Sequence, residues 1–179
     1  IRHNSIKAQA VTVLAIKYRN PFAIIQTNPD PWRGMTGKTP GGFLIFDTVV
    51  NGVRAGYRSL YNTYYSGGRR PTLLLIFQRY APVEHSAIIN DPVKYATFVA
   101  KQAAINGINT PTSYRDIYAI GIAIIVMEAG YFWPTMSDVN EGYKLAFSGL
   151  GLPLSPMIDA DSFDQKQTAG FGGKVAGTL

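Results

Sequence analysis

Cysteine is absent from the 179-residue chain, which excludes disulfides and thiolate zinc sites and leaves the redox compartment open. Histidine occurs twice, at His3 and His85, too far apart in sequence for metal-ligand spacing. No P-loop, dinucleotide fingerprint, nucleophile elbow or metal-binding helix motif is present. The segment GGFLIF, for instance, lacks the Lys and Ser or Thr that would follow in a phosphate loop. Ser, His and Asp show no triad spacing. Neither a metal nor a small-molecule cofactor is therefore expected. The apolar run from Ile117 to Met127 is too short to cross a bilayer. Acidic residues are missing altogether between Asp47 and Glu84, whereas Arg54, Arg58, Arg69, Arg70 and Arg79 fall in that interval.

What is present describes an ordered domain. Hydrophobic residues make up 46% and charged residues 16%, and the length suffices for one core with an appendage. A net charge of +6 and a pI near 9.6 favour an anionic partner, for which nucleic acid, lipid headgroups and bacterial cell wall all qualify. The first residue is Ile, as expected of a processed chain or a piece of a longer one.

The stretch from Asp116 to Gly130 organises the rest. Ser113 and Asp116 stand three apart ahead of the apolar run, a capping-box spacing. Gly130 after the last periodic residue and Pro134 beyond it stop the helix. A helix apolar all round is expected at the centre of a helical domain. Glu128 lies at its C-terminal end, where the macrodipole and apolar neighbours both disfavour the charged form and raise the pKa, as a general acid requires. The alternative is a terminal Glu that points into water.

Before it, residues 5–17 have helical spacing and end at Asn20-Pro21. Residues 20–47 are dense in Pro and Gly and predict a hairpin-like lobe containing Trp32. Asp47 is positioned to cap a helix running through Tyr65. Further helices are predicted from Pro71 to Tyr80, from Asp91-Pro92 to Asn106, and from Ser137 to Ser148. Val83 to Asn90 is a loop carrying Glu84 and His85. The expected fold is mainly α, of α+β type, with about six helices around the 116–129 helix. Residues 1–148 form the domain, and the Gly-rich residues 149–179 an extended arm.

The remaining candidates for chemistry are carboxylates in or near loops: Asp47, Glu84, Asp91 and Glu128. Several short motifs occur in a recognisable order: Tyr18-Arg19-Asn20-Pro21, Trp32-x-Gly34, Phe46-x5-Gly52-x-Arg54-Ala55, Pro71-Thr72-Leu73 and Arg79-Tyr80-Ala81-Pro82-x-Glu84. Ile125-Val126-Met127-Glu128-Ala129-Gly130 follows. The series resembles a family of phage and prophage virion proteins with a lysozyme-like, peptidoglycan-degrading domain, and it covers residues 18–148. The chain departs from the family pattern after Arg19-Asn20, where two Asn and a Gly are missing, and at Glu84-His85, where Glu-Asn is usual.

The resemblance implies a lysozyme-like virion component that opens the cell wall, as a muramidase or lytic transglycosylase, with peptidoglycan as partner. Glu128 is the expected general acid, Glu84 the alternative acid and Asp47 a possible second carboxylate. Tyr18, Asn20, Trp32, Tyr80 and Arg79 are expected to line a sugar groove. The rival expectation is a non-catalytic capsid, spike or tail-tip adaptor that contacts other virion proteins through its C-terminal arm. A nucleic-acid packaging role accounts for the charge but has no binding motif behind it, so it ranks last.

Overall fold

The computed structural model describes residues 14–26, 30–80 and 91–168. Residues 14–17 are helical and finish in a Schellman arrangement. Asn20 N–H reaches Ala15 O at 3.0 Å and Arg19 N–H reaches Ile16 O at 3.3 Å. Arg19, at φ 52°, takes the left-handed position usually given to Gly. Pro21 helps to force this stop, because the residue before a proline is pushed out of the helical region.

The lobe that follows is built on two strands, β1 (Met35–Lys38) and β2 (Leu44–Phe46), paired antiparallel with Lys38 opposite Leu44 and Met35 opposite Phe46. Gly42, at φ 86°, turns the chain between them. The other edge of β2 is covered by the preceding segment, with Leu44 N–H on Ile24 O at 3.0 Å and Phe46 N–H on Tyr18 O at 3.0 Å. Asn20 ties this layer together. Its Nδ2 donates to Ile24 O and Leu44 O, each at 3.0 Å, and its Oδ1 accepts from Ile24 N–H at 2.9 Å. A buried amide needs such partners, and these use both ends of it.

Helix α1 (Val49–Leu60) starts at Thr48, whose hydroxyl accepts from Asn51 N–H at 3.1 Å. The expected cap, Asp47, sits one residue too early and instead accepts from Asn51 Nδ2 at 2.8 Å. Two glycines on α1 let the lobe dock. A Cβ on Gly52 would lie 2.0 Å from Arg19 O, and one on Gly56 2.1 Å from the Phe22 ring. Beyond α1 the chain widens into a π turn (Tyr61–Tyr65) and then tightens in a 3-10 turn (Ser66–Gly68).

The body consists of α2 (Leu73–Tyr80), α3 (Pro92–Gln102), α4 (Ile117–Ala129) and α5 (Met136–Phe147) packed with α1. The expected capping box is present: Asp116 Oδ2 accepts from Ser113 N–H at 2.8 Å, and Ser113 Oγ from Arg115 N–H at 3.3 Å. It opens a 3-10 turn (Tyr114–Asp116) that leads into α4. Gly130 closes α4 in the left-handed conformation at φ 81°, with its N–H on Val126 O at 2.7 Å. Nearly all of α4 is buried, Ile117 and Ile120 to Val126 included. Tyr57 from α1 crosses it at Gly121, and its hydroxyl reaches Tyr118 O at 2.9 Å.

Residues 149–168 correct the expectation of an extended arm. Leu150, Leu152, Ile158 and Phe163 pack against the core, and Phe163 meets the Phe132 ring at 5.3 Å. Ile158 N–H donates to Tyr118 Oη at 3.0 Å, and Ser155 Oγ to Arg115 O at 2.7 Å. The segment ends in α6 (Ala160–Thr168), whose Asp164 accepts from the Met136 and Ser137 N–H groups at 2.7 and 3.2 Å. This carboxylate therefore holds the N-terminus of α5, where exposed N–H groups favour an anion. The portion of the expected arm from residue 169 lies outside the described residues. The described residues are mainly helical with one small antiparallel sheet, an α+β arrangement around α4.

Candidate functional site

Glu128 stands in the last turn of α4, where α2 and α3 come against it. Tyr95 on α3 donates its hydroxyl to Glu128 Oε1 at 2.7 Å. Phe77 of α2 stacks on Tyr95 with ring centres 4.3 Å apart, and Tyr80 lies edge-on to Tyr95 at 6.3 Å. Tyr80 in turn donates its hydroxyl to Phe22 O at the base of the lobe. The lobe and the acid end of α4 are thus linked through one side chain.

This surrounding sets the ionisation. Burial pushes the Glu128 carboxyl up to about 7 from an ordinary 4.5, and the Tyr95 hydroxyl pulls the other way. The negative end of α4 acts in the same direction as burial. No other carboxylate among the described residues contributes to the shift. Glu128 as a residue is partly exposed, while its carboxyl is buried among aromatic side chains. The phenols of Tyr80 and Tyr95 are driven well above their ordinary range, by burial first and the charge of Glu128 second. Both remain neutral hydrogen-bond donors wherever Glu128 titrates.

Of the residues expected from sequence, Glu128 and Tyr80 are brought together. Arg79, exposed beside Tyr80, places its guanidinium 5.9 Å from the Tyr64 ring, at the margin of the same neighbourhood. Tyr18 is half-buried against Phe43, with Lys17 Nζ 5.2 Å above its ring. Trp32 packs on the small Leu44, Phe46 and Ala55 cluster and donates Nε1–H to Gln26 Oε1 at 2.6 Å. Both belong to the lobe. Asn20 is fully buried with its amide committed to backbone, so it fixes the lobe and does not line a groove. Asp47 is exposed, and its hydrogen bond with Asn51 holds it below the usual carboxylate range. Glu84 lies outside the described residues.

Tyr95 and Phe77 were visible in the sequence only as inward-facing positions of amphipathic helices. A signal for Tyr95 exists, because a tyrosine on an apolar face needs a partner for its hydroxyl. Chemically, the arrangement is a protonatable carboxyl near neutrality with one oxygen oriented by a phenol. Among the described residues no group of three His, Asp or Glu side chains is placed to hold a metal ion, and no helix is long and apolar enough to cross a membrane. No protein-family model and no curated protein sequence matches the chain.

Proposed function

We propose that the chain is a lysozyme-like glycan-cleaving domain acting on peptidoglycan, within a phage virion component, with Glu128 as its acid and base. The observation that carries this reading is the Glu128 carboxyl itself, poised near pH 7 and oriented by Tyr95 at 2.7 Å. A general acid works best when its pKa lies near the working pH. In the first half of the reaction Glu128 gives its proton to the glycosidic oxygen as the C1–O bond breaks. The carboxylate left behind keeps the Tyr95 hydrogen bond, which favours its charged form.

In the second half the same carboxylate takes a proton from the oxygen that attacks C1. If that oxygen belongs to water, the product is a reducing sugar. If it is the sugar's own 6-hydroxyl, the product is a 1,6-anhydro ring. Glycoside hydrolysis by water ordinarily uses a second carboxylate, whereas the intramolecular route needs only the sugar's own hydroxyl. Incubation of purified peptidoglycan with the protein, followed by mass analysis of the fragments, tests this. Anhydro ends released by wild type and lost in Glu128→Gln support it, with Glu84→Gln as the comparison. Clearing that persists in Glu128→Gln and disappears in Glu84→Gln would transfer the acid role to Glu84.

A further inference from the structure

Three arginines that the glycan reading leaves unused stand near one another where the lobe joins the helical body. Arg54 and Arg58 are an i, i+4 pair on α1 and share one face of it. Arg33 belongs to the Trp32–Gly34 turn, which rests directly on the start of α1: a Cβ on Gly34 would lie 2.3 Å from Asn51 Nδ2. The charges of Arg33 and Arg58 both bear on Arg54, whose guanidinium is held below its ordinary range by burial first and by these cations second.

Among the described residues no carboxylate forms a salt bridge with them. The salt bridge found there joins Lys144 to Glu141 on α5. Arg54 Nε is buried with no hydrogen-bond partner. Arg58 directs Nη1 to Ala146 O at 2.9 Å, which fixes the head of that side chain at the end of α5. Asp47, the acid closest in sequence to Arg54, has its carboxylate on Asn51 and is not among the charges that act on Arg54. A partly buried guanidinium with an unpartnered Nε beside two like charges is unfavourable on its own and is relieved by an anionic acceptor. Three forks from two elements can feed more N–H donors than the two oxygens of a carboxylate accept comfortably, whereas the oxygens of a phosphate suit them.

We infer that Arg33, Arg54 and Arg58 form a binding site for a phosphate group, free or as a diester within a polymer. The site stands on the lobe and α1 alone and does not depend on the chemistry at Glu128. The test titrates the full chain with inorganic phosphate and, separately, with a glycerol-phosphate oligomer, following the Arg Nε–Hε resonances. Wild type should saturate with a shift at Arg54, and Arg54→Gln and Arg33→Gln should each weaken binding about tenfold or more. Arg70→Gln, the same loss of charge at an exposed position beyond the far end of α1, should change affinity less than about twofold, because solvent screens it. Tighter binding of the oligomer assigns the site to a polymeric diester, and equal binding assigns it to free phosphate. Equal weakening by all three substitutions, or an unmoved Arg54 resonance at saturation, would overturn the inference. If Arg54→Gln fails to fold, Arg33→Gln on its exposed turn decides the matter alone.

Discussion

Replacing Glu128 by Gln should make the protein more stable at alkaline pH and leave it unchanged in acid. The amide would copy the protonated acid, with an oxygen that still accepts from Tyr95. In wild type the carboxyl titrates at about 7 in the fold, against 4.5 ordinarily. The unfolded chain therefore releases this proton first, and the folded form keeps it until near neutrality. The stability from the raised value is fully present below pH 4.5 and is lost progressively as pH rises through 7. Across that window the loss is about 3 kcal/mol. The two proteins share every other titrating group, so their difference isolates this one. Urea denaturation from about pH 4 to about pH 8, followed by tryptophan fluorescence, should show matching stabilities at the acid end. At the alkaline end the Gln variant should lead by about 3 kcal/mol, or about 6–12 °C in melting temperature for a chain of this size. Stability curves that run parallel across the whole range would refute the assignment of a raised Glu128.

Other consequences follow from particular contacts. Tyr95→Phe removes the donor that lowers the Glu128 pKa, so carbon-13 NMR of the carboxyl should show its midpoint move further above neutrality. The same variant should lose about 1–2 kcal/mol at about pH 8, where the charged carboxylate has lost its partner. Gly56→Ala forces a methyl group to within 2.1 Å of the Phe22 ring and should cost about 1–3 kcal/mol by calorimetry. Asp164→Ala removes the acceptor of the Met136 and Ser137 N–H groups and of Ser137 Oγ. It should cost about 1–2 kcal/mol and speed hydrogen exchange at the start of α5; unchanged exchange there would count against the capping role.

The parts of this fold that can be read from the sequence are those written in neighbouring residues. Ser113 with Asp116, the apolar run after them and Gly130 announce both ends of α4, because each signal acts within one turn. The Pro and Gly content of residues 20–47 likewise announces an irregular lobe. Contacts between distant segments leave no such trace. Leu150, Leu152, Ile158 and Phe163 sit in a Gly-rich stretch with no helical period, and their docking depends on Arg115, Tyr118 and Met136 far upstream. Gly52, Gly56, Gly121 and Gly142 look like weak points in their helices until their neighbours are known. Each is where another segment presses against the helix. The site divides in the same way. Glu128 stands out by its place at the end of an apolar helix, whereas its pairing with Tyr95 joins residues on two separate helices. Asn20 shows the converse, since a polar residue in a loop motif is here a buried tie between backbone segments.

The most direct test of the central claim is the release of soluble fragments from purified peptidoglycan near neutral pH by folded wild type and folded Glu128→Gln. The account predicts release by wild type and a fall of about 10²–10⁴-fold in the variant, the usual worth of a general acid. Equal release by the two proteins, or none from wild type on several wall types, would contradict it.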